Sequence, residues 1–269
     1  MPERIIAYYQ KHRFLVEENL IASGDPHDIE AIHDMRLSIK RIKVVGKLCD
    51  QLSKGNFTSK EKLAELNRFF KSSGRLRDSQ VTRQLLIDLG EEGLEPVIEF
   101  FERKEVKQRI KYESALSEFN SNTLQVIEKA IGFSLQGINA RIVMMAAKSL
   151  LMEYQGDISS IFHGSTKEKR MHEIRTRLKD INYLNNIFDG QLNLPDHLNI
   201  AVERLRELGE MAGSWHDCLN LEKILEKFIK KHPGTDQNNS IAEIVSKIKA
   251  RKQGLQQEYA CILMNEMKI

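Results

Sequence analysis

His33, Arg36, Lys40, Lys43 and Lys47 follow one another at steps of three or four residues, the spacing that keeps side chains on one face of an α-helix. At about 100° per residue they fall within an arc of about 80°. No acid interrupts the stripe. Like charges at this spacing destabilise a helix by roughly 0.2–0.5 kcal/mol per pair, so an isolated helix gains nothing from the pattern. A solvated surface face is the commonest fate of a charge run. A bound polyanion is the other reading, because lysine and arginine neutralise phosphate and arginine contacts two of its oxygens at once. The neighbouring arc holds Ile32, Met35, Ile39, Ile42, Val45 and Cys49, an apolar face that would anchor the same helix in a bundle.

The pattern recurs. Ile32-His33-Asp34-Met35-Arg36 lies over Met171-His172-Glu173-Ile174-Arg175 at an offset of 139 residues, and Lys40 then lies over Lys179. At the same offset Gly74-x-x-x-Asp78 lies over Gly213-x-x-x-Asp217. Two matches in one register point to two similar helical halves, 1–119 and 140–269, joined by residues 120–139. The second stripe is shorter, with Asn182 and Asn186 in the places of Lys43 and Lys47. A single-sign stripe in both copies favours a polyanion over a merely solvated face.

Charge along the chain agrees. Over 269 residues the net charge is only +3, yet residues 33–47 carry +4, 71–83 carry +3 and 167–179 carry +4, leaving −8 for the rest. Lys71, Arg75, Arg77 and Arg83 against Asp78 make up the middle window. Cysteines 49, 218 and 261 are odd in number and form no C-x-x-C pair, which argues against a disulfide framework or a zinc module and fits a reducing compartment. The amino-terminal residues have no apolar run long enough for a signal peptide or a membrane span, so a cytoplasmic protein without membrane contact is expected.

The elements that must position these residues read as helical throughout. Apolar residues recur at helical steps over about 3–22, 77–89, 94–117, 123–155, 197–210, 217–231 and 240–267. Asp25-Pro26 reads as the start of the helix bearing the first stripe, which runs to about Cys49 with Gly55 beyond it as a stop. Thr58-x-x-Glu61 and Ser165-x-x-Glu168 have capping-box spacing, and Asn193 before Leu194-Pro195 suggests another start. Gly190 and Pro233-Gly234 read as stops. Gly74 and Gly213 are expected to break a helix, with Asp78 and Asp217 capping the next; the aspartates could also orient basic side chains of the stripes.

These residues resemble the signatures of the CHAD family, the conserved histidine α-helical domain. His33-Asp34-Met35-Arg36-Leu37-Ser38-Ile39-Lys40-Arg41-Ile42-Lys43 is similar to the family's His-x-x-Arg element with its basic continuation. Ser73-Gly74-Arg75-Leu76-Arg77-Asp78-Ser79-Gln80-Val81 resembles its following Leu-Gly-x-x-Arg-Asp element, and His172 to Lys179 with Gly213 to Asp217 resemble the second-half counterparts. The resemblance spans essentially the whole chain. It implies an all-α fold of two pseudo-symmetric antiparallel helical bundles packed around a central basic surface, which binds inorganic polyphosphate, often at polyphosphate granules.

The expected site is therefore His33, Arg36, Lys40, Arg41, Lys43, Lys47, Lys71, Arg75 and Arg77 from the first half, with His172, Arg175, Arg177 and Lys179 from the second. Asp180 and Asn182 stand where the family commonly has basic residues, so binding skewed towards the first half is expected. Binding should tighten from pH 8 to pH 6, since charged histidine donates twice to phosphate. No cofactor or metal is expected, because Leu37 and Thr176 occupy the i+4 positions of His33 and His172. Without a P-loop or an acidic metal cluster, no catalytic residue is expected either. Nucleic acid is the competing partner; the first stripe has no interleaved aromatics for stacking bases. An accessory role to a polyphosphate-metabolising enzyme is the other alternative.

Overall fold

The computed structural model describes residues 1–26, 28–53, 55–162, 168–192, 202–233 and 238–267. They form helices and no strand, in the order α1 (Pro2–Ala22), α2 (Ile29–Leu52), α3 (Ser59–Lys62), α4 (Ala64–Leu89), α5 (Glu95–Glu118), α6 (Asn122–Ser134), α7 (Ala140–Phe162), α8 (Glu168–Ile187), α9 (Val202–Lys231) and α10 (Asn238–Met267). The all-helical architecture read from periodicity is the observed one.

The chain packs as two compact units that interleave along the sequence. The first comprises Met1–Arg77, Arg109–Gly156 and Lys179–Asn199; the second comprises Asp78–Gln108, Asp157–Leu178 and Ile200–Ile269. In the first unit α1 lies along α2, and α6 packs on both. Ile5, Tyr9, His12 and Val16 recur at steps of four, three and four, so α1 buries one stripe, and Leu124, Ile127 and Ile131 of α6 do the same. The Tyr9 hydroxyl donates to the Leu124 carbonyl at 2.7 Å, which satisfies a buried phenol. Ile32, Met35, Ile39, Ile42, Val45 and Cys49, the predicted apolar arc of α2, are wholly buried. Val44, Gly46 and Leu48 are buried as well, so α2 is enclosed on most of its circumference and its cationic stripe emerges from a core helix.

The second unit has its own core, with Leu86 of α4, Val97 and Phe101 of α5, Leu221 and Leu225 of α9, and Ile241, Ile244 and Ile248 of α10. Lys252 of α10 bonds Glu222 and Glu168 there; Lys252 and Glu222 are each only 12% exposed. Losing one partner would strand a buried charge.

Several expected boundaries move. Helix α2 begins not at Asp25-Pro26 but three residues later, where the Asp28 carboxylate accepts the Ala31 N–H at 2.9 Å; the Asp28 N–H itself bonds back to the Asp25 carbonyl. Thr58 sits at the N-cap of α3 but makes no side-chain cap. Asp50, reaching across from α2, takes the Ser59 N–H at 2.6 Å instead. The stretch 123–155 is two helices, parted by Gly137 at φ +71° and restarted by the Asn139 side chain, which accepts the Ile142 N–H. Conversely α4 runs unbroken through Gly74 and Asp78, and α9 through Gly213 and Asp217, so neither glycine breaks a helix and neither aspartate caps one. A mid-helix glycine costs only about 1 kcal/mol, less than tertiary packing returns. The stops at Gly55 and Gly190, both with positive φ, are where expected, and α9 ends just before Pro233. The starts assigned to Ser165 and Asn193, residues 197–201 and Gly234 lie outside the described residues.

Candidate functional site

Within the first unit the stripe of α2 is compressed. His33, Arg36, Lys40, Lys43 and Lys47 are all half-buried, and Phe70 of α4 packs among them, with the Arg36 guanidinium 4.0 Å and the Lys43 ammonium 4.6 Å from its ring centroid. Burial and then the adjacent Lys47 hold the Lys43 ammonium below the ordinary lysine pKa; Arg36 and Lys71 add to this and Asp180 opposes it. Four cations thus converge with one acid near them. An anion placed there would relieve the repulsion and recover the hydration that burial removes.

Arg36 is held from α4. Its Nη1 donates to the Phe70 carbonyl and, at 2.9 Å, to the Ser73 hydroxyl. A Cβ on Gly74 would lie 3.2 Å from Arg36 Nη1 and 3.3 Å from Nη2, so a side chain there would push the guanidinium away by a few tenths of an ångström. This gives the Gly-x-x-x-Asp spacing a role that local punctuation does not reveal. At Gly213 a Cβ would meet nothing within 4 Å. Gly213→Ala is therefore expected to stabilise the fold by about 0.5–1 kcal/mol through helix propensity. Gly74→Ala should leave stability within about 1 kcal/mol, the same gain being offset by displacing Arg36, while lowering anion affinity several-fold. Thermal melts and anion titrations of the two variants check the contrast; equal behaviour would remove Gly74 from this role.

Lys47 closes the stripe in an ion pair with Asp180 at 2.7 Å, and its ammonium lies 5.2 Å from the Tyr154 ring centroid. Asp180 is 15% exposed, so this pair is better shielded than a surface bridge. Asp180→Asn should release Lys47 for a ligand and tighten anion binding about three- to ten-fold, measured at constant ionic strength; weaker binding would contradict the competition. Arg77 contacts the Ile29 carbonyl at 3.4 Å and Glu30 at 3.5 Å, which places it at the start of α2 near His33. Burial first, then Arg77 and Lys40, lowers the His33 pKa, with Glu30 and Asp34 opposing. A bound polyanion would push it back up.

Lys71 and Arg75 are exposed on α4, and Lys179 is half-buried in the same unit. Arg41 lies on another flank of α2, its guanidinium 5.6 Å from the Tyr183 ring centroid and facing a cavity beside α1. His172, Arg175 and Arg177 belong to the second unit. There the His172 ring lies 5.0 Å from that of His216, and Arg177 is paired with Asp157 at 2.8 Å. Sequence reasoning missed Phe70, Ser73 and Tyr154. Phe70 and Ser73 precede the Gly74 element by four residues and one, a spacing that gains meaning only once α4 is known to face Arg36. Among the described residues no group of three histidine, cysteine or acidic side chains could hold a metal, and no helix is long and apolar enough to cross a membrane.

No curated protein matches the chain in sequence. Solved structures share its fold. The crystal structure of the CHAD domain from the plant Ricinus communis superposes with a TM-score of 0.73 at 15% identity, covering 100% of this chain and 92% of that one. PptA from Streptomyces chartreusis gives 0.65 at 13% identity, covering 100% and 99%. At these identities the likeness concerns the fold alone. The CHAD domain family model matches residues 7–226, taking in both basic elements of the sequence and the helices that carry them: the chain belongs to the CHAD family.

Proposed function

We propose that the stripe of α2, with Lys71 beside it, binds inorganic polyphosphate without cleaving it. The observation that carries this reading is the crowding of half-buried Lys43 by Lys47, Arg36 and Lys71, an arrangement that costs the free protein and is relieved by an extended anion. The family resemblance supports the choice of polyphosphate. The side chains gathered are cations and hydrogen-bond donors, groups that hold phosphate oxygens, which suits a binding role, in the cytoplasm or at polyphosphate granules and alone or beside a polyphosphate-metabolising enzyme. His172, Arg175 and Arg177 make a smaller contribution in this account, because Arg177 is already engaged by Asp157.

A titration with long-chain polyphosphate at several salt concentrations tests the reading. With about four phosphates neutralised, the logarithm of affinity should fall with the logarithm of salt at a slope of about −3, using the single-strand coefficient. A slope near zero would overturn the electrostatic account. Affinity at pH 6 should exceed that at pH 8, since the polyanion favours charged His33, and His33→Gln should flatten that difference.

A further inference from the structure

In the second unit a hollow of about 160 Å³ opens between α5 and the last turns of α9. Its reachable walls are Phe100 of α5, which is 39% exposed, and half-buried Ile224 and Phe228 of α9. Val97 and Phe101 back these walls from the core and offer no contact surface. The rim is cationic. Lys227 and Lys231, exposed and one turn apart on α9, stand there with half-buried Lys104 of α5 and exposed His232, and no acid occurs among the described lining residues. The Lys104 ammonium lies 4.7 Å from the Phe101 ring centroid. Burial first lowers its pKa; Asp78 opposes this and Lys227 adds to it. A cation at Lys231 is favoured by the carboxyl end of α9 in any case. Lys227 lies before that last turn and Lys104 on another helix, so the helix end does not account for their crowding.

Size and charge together select the occupant. Small-molecule sites run to about 300–1,000 Å³, whereas about 150 Å³ of apolar space holds a single benzene-sized group. The hollow therefore has room for one aromatic or branched aliphatic side chain. The cations around it call for carboxylates carried beside that side chain on the same ligand. Protein interfaces concentrate affinity in such an anchor and its pocket. We propose that this hollow docks an acidic segment of a partner protein, one apolar side chain of the segment seated between Phe100 and Phe228 and its flanking carboxylates on Lys104, Lys227 and Lys231. The surface belongs to the second unit and uses no residue of the α2 stripe, so it does not depend on what the stripe binds.

Fluorescence polarisation of the full chain with two labelled peptides tests this. Each peptide carries three glutamates on either side of a central residue, phenylalanine in one and alanine in the other. The phenylalanine peptide should bind one to one and at least about tenfold more tightly than the alanine peptide, the effect of one seated anchor. Phe100→Ala, at an exposed position, should erase most of that difference. Lys227→Gln/Lys231→Gln should weaken the phenylalanine peptide about tenfold, with melting temperature and long-chain polyphosphate affinity unchanged. Lys40→Ala/Lys43→Ala should leave the contrast between the two peptides as it is. The proposal is overturned if the phenylalanine peptide does not bind, if both peptides bind alike, if the contrast survives Phe100→Ala, or if 3-phenylpropionate displaces the peptide at equal concentration, which would make the hollow a small-carboxylate site. A polyphosphate affinity that falls with the peptide's in Lys227→Gln/Lys231→Gln would overturn it too, by making these lysines part of a polyanion surface. Because the stripe variant and the peptide contrast are read separately, failure of either reading leaves the other standing.

Discussion

Lys40→Ala/Lys43→Ala is expected to weaken polyphosphate binding by about 100-fold while the protein stays folded. Each lysine can give a charge-assisted contact, worth roughly 1.5–3 kcal/mol when well formed. Partial exposure screens this, so about 1.4 kcal/mol, or tenfold, is assigned to each. The accompanying effect on stability has the opposite sign. Lys43 is held in its charged form against burial and against Lys47, Arg36 and Lys71, so removing its charge relieves the free fold. A melting temperature equal to or above the parent's, together with lost affinity, is the signature of a binding residue. A merely structural lysine would lower both. Unchanged affinity would remove the stripe from the site.

The second large effect is on acid stability. His12 is buried edge-on against the Tyr8 ring, with ring centroids 4.5 Å apart. Burial, then Arg41 and Lys11, pushes its pKa down to about 4 from 6.5. The folded value lies below the unfolded one, so near pH 7, where His12 is mostly neutral in both states, its titration takes almost nothing from stability. As pH falls below 6.5 the unfolded chain takes up a proton that the folded chain refuses, and stability drops until about pH 4. The loss reaches about 2.5 kcal/mol at pH 4.5. Denaturant unfolding at pH 7 and pH 4.5 should show it, and His12→Gln should remove most of the difference. His33, also lowered, adds a smaller loss in the same direction. An equal acid loss in His12→Gln would place the lability elsewhere.

Periodicity made the faces of α2 legible, because a core helix must keep its apolar arc at 3.6-residue steps whatever packs on it. It also exposed the stripe, since a run of same-sign charge on one arc needs no neighbour to be noticed. What it missed depended on a partner distant in sequence. Gly74 reads locally as a helix breaker, yet its bare Cα is the clearing in which Arg36 lies, and that becomes visible only when α4 is set against α2. Asp180 reads as an acid where the resemblance expects a basic residue, but acts as the counter-charge of Lys47 in the first stripe. The start of α2 was misplaced for a simpler reason: Asp25 and Asp28 both have capping chemistry, and the turn between them decides which one caps. Phe70, on neither stripe, supplies the aromatic surface shared by Arg36 and Lys43.

Competition between polyanions tests the central claim most directly. With the protein saturated by a labelled single-stranded oligonucleotide at fixed salt, long-chain polyphosphate should displace the label at near-stoichiometric amounts, since its charge spacing is denser and the stripe offers one aromatic ring rather than a stacking series. In the reverse experiment, a large excess of oligonucleotide should leave bound polyphosphate in place. Displacement in the opposite order would contradict the account and make a nucleic-acid backbone the ligand of the stripe.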